Sequence, residues 1–243
     1  SGTLADSLSA TVIKATIGGL LNGTDFKYLR QLNASGHLAA IDLTDAKILS
    51  GGSAYYESYR TSLNTLGEKA FSGCLKLIAF RLPESITKIG SNAFSNTGLR
   101  EVVIPDGVTS VGGDAFAYCK QLSTVTVGAK VKTMSQGVFY SSAVKHAYVK
   151  PTTPPNVSSY LFSSKPVIHV YASALAAYKA SAWAGYGTLV GDLDDYLDID
   201  VIPVDEETNA EADAPIYDLL GRRVQDLQPA TLYIRNGRKF IIR

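Results

Sequence analysis

The chain has 243 residues, 46% of them hydrophobic, with 23 basic against 22 acidic side chains and a formal charge of +1. That is ample apolar material for a core, yet no apolar run reaches the roughly 18 residues that a membrane-spanning helix needs. The neutral total hides an asymmetry: residues 192–214 hold ten acids and no Lys or Arg, so 23 bases face 12 acids elsewhere and the remainder stands at +11. This excess is spread out, without a basic run or interleaved aromatics, which argues against a nucleic-acid partner.

Residues 1–60 read as an N-terminal cap with irregular first rungs. Leu4 to Leu20 has helical spacing in part. Asn22-Gly23-Thr24-Asp25 is a turn, with Thr24 or Asp25 expected to N-cap a helix through Tyr28 to Leu32. Leu38, Ile41 and Leu43 then introduce a 0, 3, 5 apolar spacing that returns throughout the next segment.

That segment, 61–172, repeats. Phe71, Phe94, Phe116, Phe139 and Phe162 recur at spacings of 23, 22, 23 and 23 residues. A fixed period of this length marks units that stack and share one core. Before each of the first three Phe lies an apolar–x–x–apolar–Gly step: Leu63 to Gly67, Ile86 to Gly90, Val108 to Gly112. Val131 to Ser135 keeps the spacing without the Gly. These glycines are expected to supply a positive φ or a close approach at a corner. After each Phe come strand-like apolar triplets: Leu77/Phe80/Leu82, Leu99/Val102/Ile104, Leu122/Val125/Val127 and Val144/Ala147/Val149, with Ile168/Val170 continuing the last two positions. Neighbouring strands would lie about 4.8 Å apart, with the five Phe as an internal ladder. The fold class expected is an α/β repeat: a right-handed solenoid with one parallel β-sheet face, helical caps at both ends and a small C-terminal all-β module.

The runs Leu82 to Phe94 (LPESITKIGSNAF) and Ile104 to Phe116 (IPDGVTSVGGDAF), the latter followed by Ala117 to Leu122, resemble the BspA-type leucine-rich repeat. Asn22 to Arg30 also resembles the N-terminal part of such proteins. The resemblance implies a secreted or surface protein of Bacteroidetes or other host-associated microbes, some of whose relatives are adhesins for host matrix proteins or other bacteria. Ser1-Gly2 reads as the start of a trimmed chain, so a lost export leader is expected.

Beyond the repeat, 173–191 reads as a C-terminal cap, with Ser173 expected to N-cap a helix over 174–179 and Trp183 to cover the last rung. The acidic stretch 192–214 reads as a solvated linker. Its Asp192/Asp194/Asp195 cluster lacks the Gly and distal Glu of a calcium loop. In 215–243, Asn236-Gly237 between Leu232–Arg235 and Lys239–Ile242 signals a hairpin. The form Tyr217-Asp218-Leu219 with Gly221-Arg222-Arg223-Val224 resembles C-terminal modules of secreted Bacteroidetes proteins, relatives of the type IX sorting domain included, with Thr231 where those usually have Gly.

Catalytic and metal signatures are missing. Three histidines, His37, His146 and His169, form no zinc spacing, and no nucleophile elbow or phosphate loop occurs. Cys74 and Cys119 both lie three residues after a ladder Phe, two rungs or about 9–10 Å apart. That is too far for a disulfide, so two buried thiols are expected. No cofactor is expected.

If the 0, 3, 5 positions point inward, the residues between them form outward columns: Arg81, Val103, Thr126, Tyr148, His169; Ala79, Glu101, Thr124, His146, Val167; and Ile78, Arg100, Ser123, Lys145, Pro166. The candidate binding residues are therefore Arg81, Arg100, Glu101, Lys145, His146, Tyr148 and His169, since exposed Tyr, Arg and His are common recognition anchors. The expected function is a non-enzymatic interaction module holding a protein or glycan, host matrix included, along this face. The alternative is a spacer whose C-terminal module mediates attachment or export. A glycan-active enzyme is disfavoured because Glu101 is the single carboxylate in these columns and has no partner carboxylate.

Overall fold

The computed structural model describes residues 2–194 and the strand residues 199–202, 216–217, 223–224, 232–235 and 238–242. The chain forms two compact units, Ser1–Gly191 and Asp192–Arg243.

In the first unit successive rungs pair in parallel. One face carries a three-stranded sheet of Lys14–Thr16, Ala40–Asp42 and Ala79–Arg81. It continues as a five-stranded sheet of Glu101–Val103, Thr124–Val127, His146–Val149, Val167–His169 and Thr188–Val190. The single sheet expected on this face is thus two, meeting where the Arg100 N–H donates to the Ile78 carbonyl (3.3 Å). A second face carries a further parallel sheet in the order Asn156–Val157, Thr133–Met134, Ser110–Val111, Lys88–Ile89, Thr65–Leu66. At the Phe corners the backbone itself forms a third ladder. The N–H of Phe71, Phe94, Phe116 and Phe139 donates to the carbonyl of Ala93, Ala115, Val138 and Leu161, one rung on (2.7–3.0 Å).

The core follows the apolar spacing. Every position of the 0, 3, 5 triplets from Leu77 to Val170 is buried, as are the apolar steps from Leu66 to Met134. Leu63 is the exception at 60% exposed, because it sits in a tight turn where the Thr65 N–H donates to the Ser62 carbonyl. Ladder rings stack at centroid distances of 5.6, 5.3, 5.6 and 5.2 Å, with interplanar angles of 18° or less. Phe26 extends the ladder at one end, 5.5 Å from Phe71, and Tyr186 closes the other, edge-on to Phe162 at 6.5 Å.

The glycines before the Phe corners act by close approach and not by positive φ. A Cβ on Gly90 or Gly112 would come within 2.5 Å of the backbone nitrogen of Glu68 or Ser91 in the preceding rung. The left-handed residues stand elsewhere, two before the ladder Phe (Lys69, Asn92, Asp114, Gly137, Tyr160) and two after it (Gly73, Asn96, Tyr118, with Ser141 after Phe139).

The N-terminal cap differs from its reading in two ways. Leu4–Ser7 is a single helical turn, and the stretch to Leu20 continues through turns into strands at Lys14–Thr16 and Gly19–Leu21. The following helix, Gly23–Ala34, is capped by Asn22, not Thr24 or Asp25. The Asn22 side chain accepts from the Thr24 N–H (2.9 Å), and Asp25 accepts from the N–H of Asn22 (2.9 Å) and of Gly2 (2.6 Å). A hairpin, Gly51–Tyr56 with Tyr59–Thr61, completes the cap.

This cap meets a specific demand. Each corner donates forward, so the first corner's carbonyls have no preceding rung to bond them. Tyr55 Oη donates to the Glu68 carbonyl (2.7 Å), and the Arg30 guanidinium donates to those of Lys69, Ala70 and Ser72 (3.0–3.2 Å). Burial, partly raised further by the Glu68 carboxylate, pushes the Tyr55 hydroxyl up to about 12, so it stays a donor.

At the other end, Ala172–Ala174 is a 3₁₀ turn without a side-chain cap, so Ser173 does not cap the helix Leu175–Lys179. Ser181 caps the next 3₁₀ turn instead, accepting from the Trp183 N–H (3.2 Å). Buried Trp183 and Tyr178 donate to the carbonyls of Pro155 (2.9 Å) and Pro151 (2.8 Å). Cys74 and Cys119 form no disulfide and are buried. Burial raises both thiols, Cys74 to about 11. Cys119 belongs to a polar column, its Sγ 3.2 Å from Thr97 Oγ1 and its N–H donating to Ser142 Oγ (3.1 Å).

The second unit has its own five-stranded sheet, in the order Ile199–Ile202, Arg238–Ile242, Leu232–Arg235, Ile216–Tyr217, Arg223–Val224. Arg235 pairs with Arg238, as the hairpin reading requires, while Asn236 and Gly237 lie outside the described residues. Within the span read as an acidic linker, Ile199–Ile202 is a strand paired in parallel with Lys239–Ile242. Asp195 and most of the other linker acids lie outside the described residues. Among the described residues no helix is long and apolar enough to cross a membrane, and no cluster of three or more His, Cys, Asp or Glu could hold a metal.

Candidate functional site

Strand register aligns two of the three columns from Glu101 and Val103 onward, while Ala79 and Arg81 belong to the other sheet. Glu101, Thr124, His146, Val167 and Thr188 align across neighbouring strands, as do Val103, Thr126, Tyr148, His169 and Val190. The three inner strands of the five-stranded sheet are paired on both sides, so there the face presents side chains and little unpaired backbone.

The seven candidate residues fall into separate groups. His146, Tyr148 and His169 come together near the C-terminal rungs, with Lys145 next to His146 in the chain. His146 Nδ1 lies 3.1 Å from His169 Nε2, and the Tyr148 and His169 rings stack at 4.5 Å with planes 14° apart. His146 and Lys145 are exposed, and Tyr148 is half-buried. His169 is not the exposed anchor expected: only 3% of it is exposed, with Tyr148 and His146 stacked on one side and the Val190 strand on the other.

Arg81 lies three rungs away, beside Asp42, at an Nε–Oδ2 distance of 3.7 Å. Asp42 is a second outward carboxylate that the regular columns omit, because it belongs to an irregular early rung. Partial burial would raise its carboxyl. The N–H and O–H of Thr44 (3.0 and 2.7 Å), then Arg81 and Lys14, outweigh that and hold it below the usual range. A carboxylate pinned in its charged form suits structure better than acid–base work. Arg100 and Glu101 are exposed between these two groups.

Two further surfaces escape the column argument. One is a line of exposed tyrosines at the Phe corners, Tyr118, Tyr140 and Tyr160, with edge-on centroid distances of 5.8 and 6.4 Å. Lys120 Nζ sits 5.9 Å over the Tyr118 ring and donates to Ser141 Oγ (2.8 Å). The other is an open groove of about 470 Å³ between the hairpin and the second sheet, lined by Tyr59, Arg60, Lys88 and a row of hydroxyls. Its parts are far apart in sequence and only the hairpin's position assembles them.

Comparison with known proteins bears on the repeats. A family profile described as the BspA-type leucine-rich repeat region matches residues 55–168 in six copies. No curated protein matches the chain. Among solved structures, the chain is similar to the pneumococcal vaccine antigen PcpA, at 17% identity and a TM-score of 0.47 over 73% of this chain and 41% of that one. It is also similar to a leucine-rich repeat protein from Bacteroides ovatus, at 13% identity and a TM-score of 0.29 over 81% and 59%. The match thus spans less than two thirds of either solved chain. Residues 55–168 are a leucine-rich-repeat-type fold of parallel strands.

Proposed function

We propose that this protein is a non-enzymatic interaction module, secreted or displayed at a cell surface, which binds a protein partner along the sheet face of a right-handed solenoid. The observation that carries the reading is the grouping of His146 and Tyr148 over buried His169 on an inner strand pair, with exposed Lys145 next to His146 in the chain. A preordered set of stacked rings on a hydrogen-bonded sheet loses little entropy on binding. Such residues carry much of the energy at protein interfaces, and repeat proteins use their extended faces in this way. The extracellular placement rests on the resemblance of the repeats to the BspA type. A spacer role, with residues 192–243 doing the attaching, is the second reading, and it draws on the separate sheet of that unit.

The test is binding of the purified chain to an array of matrix proteins and glycans beside Lys145→Ala/His146→Ala/Tyr148→Ala. His169 is left intact because removing a buried ring would perturb the fold. Loss of a hit by about tenfold or more, with unchanged thermal unfolding, places recognition on this face. A hit that survives moves it elsewhere. No hit at all favours the spacer, which deletion of 192–243 then tests through loss of surface retention.

A further inference from the structure

We propose that the groove between the N-terminal hairpin and the second sheet binds an acidic glycan, at a site distinct from the sheet face. The groove's volume of about 470 Å³ falls in the range of small-ligand sites. Its floor is the glycine column Gly67, Gly90 and Gly112, where the preceding rung excludes a side chain at Gly90 and Gly112 and the Tyr55 hydroxyl does so at Gly67. One wall is the hairpin, held in place by Tyr55 Oη on the Glu68 carbonyl and Tyr59 Oη on Glu68 Oε1 (3.2 Å).

The floor offers little to an extended peptide. Three of its N–H groups are already spent between rungs: Gly90 donates to Leu66, Gly112 to Ile89 and Ser135 to Val111 (2.7–3.0 Å). Strand addition over these rungs therefore finds no free donors at Gly90, Gly112 and Ser135, and apart from the Tyr rings and the buried Val111 no apolar socket stands ready for side chains. What the groove does offer is hydroxyls on successive rungs, Thr65, Ser91, Ser110 and Ser135, beside the half-buried Tyr59 ring, the Thr65 hydroxyl donating to the Leu63 carbonyl (3.1 Å) and keeping its lone pairs. Hydroxyls in a row along the stack suit a chain that is itself rich in hydroxyls.

Charge sets the class of glycan. Arg60 and Lys88 are exposed cations on the groove, against one carboxylate, Glu68, which already accepts from Tyr59. Arg60 donates to the Gly52 carbonyl (2.6 Å), which fixes its guanidinium at the wall. The surplus is positive and complements uronate or sulfate groups.

Calorimetric titration tests this with four probes of equal length: an oligogalacturonate, a chondroitin sulfate oligosaccharide, a neutral cello-oligosaccharide and an oligoglutamate. Binding of at least one acidic glycan is expected, and which of the two binds separates carboxylate from sulfate recognition. Arg60→Ala/Lys88→Ala should weaken it about tenfold or more. Ser110→Phe, or Ser135→Phe at the open end, should fill the groove and remove binding without lowering thermal stability. The sheet-face triple variant should bind as the parent does, which keeps this proposal separate from the protein-binding reading. The proposal is overturned if neither acidic glycan binds at about millimolar concentration. It is equally overturned if the neutral sugar or oligoglutamate binds as tightly, or if both blocking variants bind normally.

Discussion

A middle rung and the first rung carry the same ladder Phe, yet they are held by different means. Phe116 lies between Phe94 and Phe139, and its corner takes and gives backbone hydrogen bonds to neighbouring rungs. Phe71 has a rung on one side only. On the other it meets Phe26, and its corner carbonyls meet Arg30 and Tyr55. The repeat supplies its own partners everywhere but at its ends. There the cap must reproduce, with side chains, what a missing rung would have offered.

Breaking the middle should cost most. Phe116→Ala removes a fully buried ring clamped by stacked neighbours, and urea denaturation should show a loss of about 3–5 kcal/mol. A smaller loss would mean that the rungs close over the gap. Breaking the cap should cost less and act locally. Arg30→Leu removes the donor to three carbonyls and the guanidinium stacked 4.3 Å from the Tyr56 ring centroid. A loss of about 1.5–3 kcal/mol is expected. Hydrogen exchange should rise at the amides of Lys69, Phe71 and Gly73 while the Phe139 rung keeps its protection. Equal exchange in both places would show that the stack opens as one body and that the distinction between end and middle has no energetic meaning.

The difference also explains what could be read from the chain alone. The rungs were legible because each Phe and each 0, 3, 5 triplet faces its own copy one period away, so local spacing reports a long-range contact. The outward columns followed from the same register. Phe26, Tyr186 and Arg30 were not legible, because each reaches the stack from outside the period. His169 misled for a related reason: its position in the column is outward, but stacking by Tyr148 and His146 buries it. The left-handed stations were written in the chain as Asn92, Asp114, Asn96, Gly73 and Gly137, residues that accept positive φ. Lys69, Tyr118, Ser141 and Tyr160 at like stations obscured the pattern. The groove had no local signal, since its wall and floor come from opposite ends of a long stretch.

Those tyrosines give the smallest and most discriminating prediction. Tyr118 holds φ 62° where the preceding rung has Asn96 at φ 57°, and its ring is 46% exposed, so it gains little core burial for a conformation that bulky residues avoid. Tyr118→Asn should therefore leave stability unchanged or raise it by about 0.5–1 kcal/mol, read from the denaturation midpoint. A loss instead would mean that the edge-on contact with Tyr140 and the Lys120 cation over the ring outweigh the backbone strain. The corner would then be held by its exposed aromatics as well as by the ladder beneath them, and a middle rung would depend on surface contacts that the first rung, with Gly73 at this station, does without.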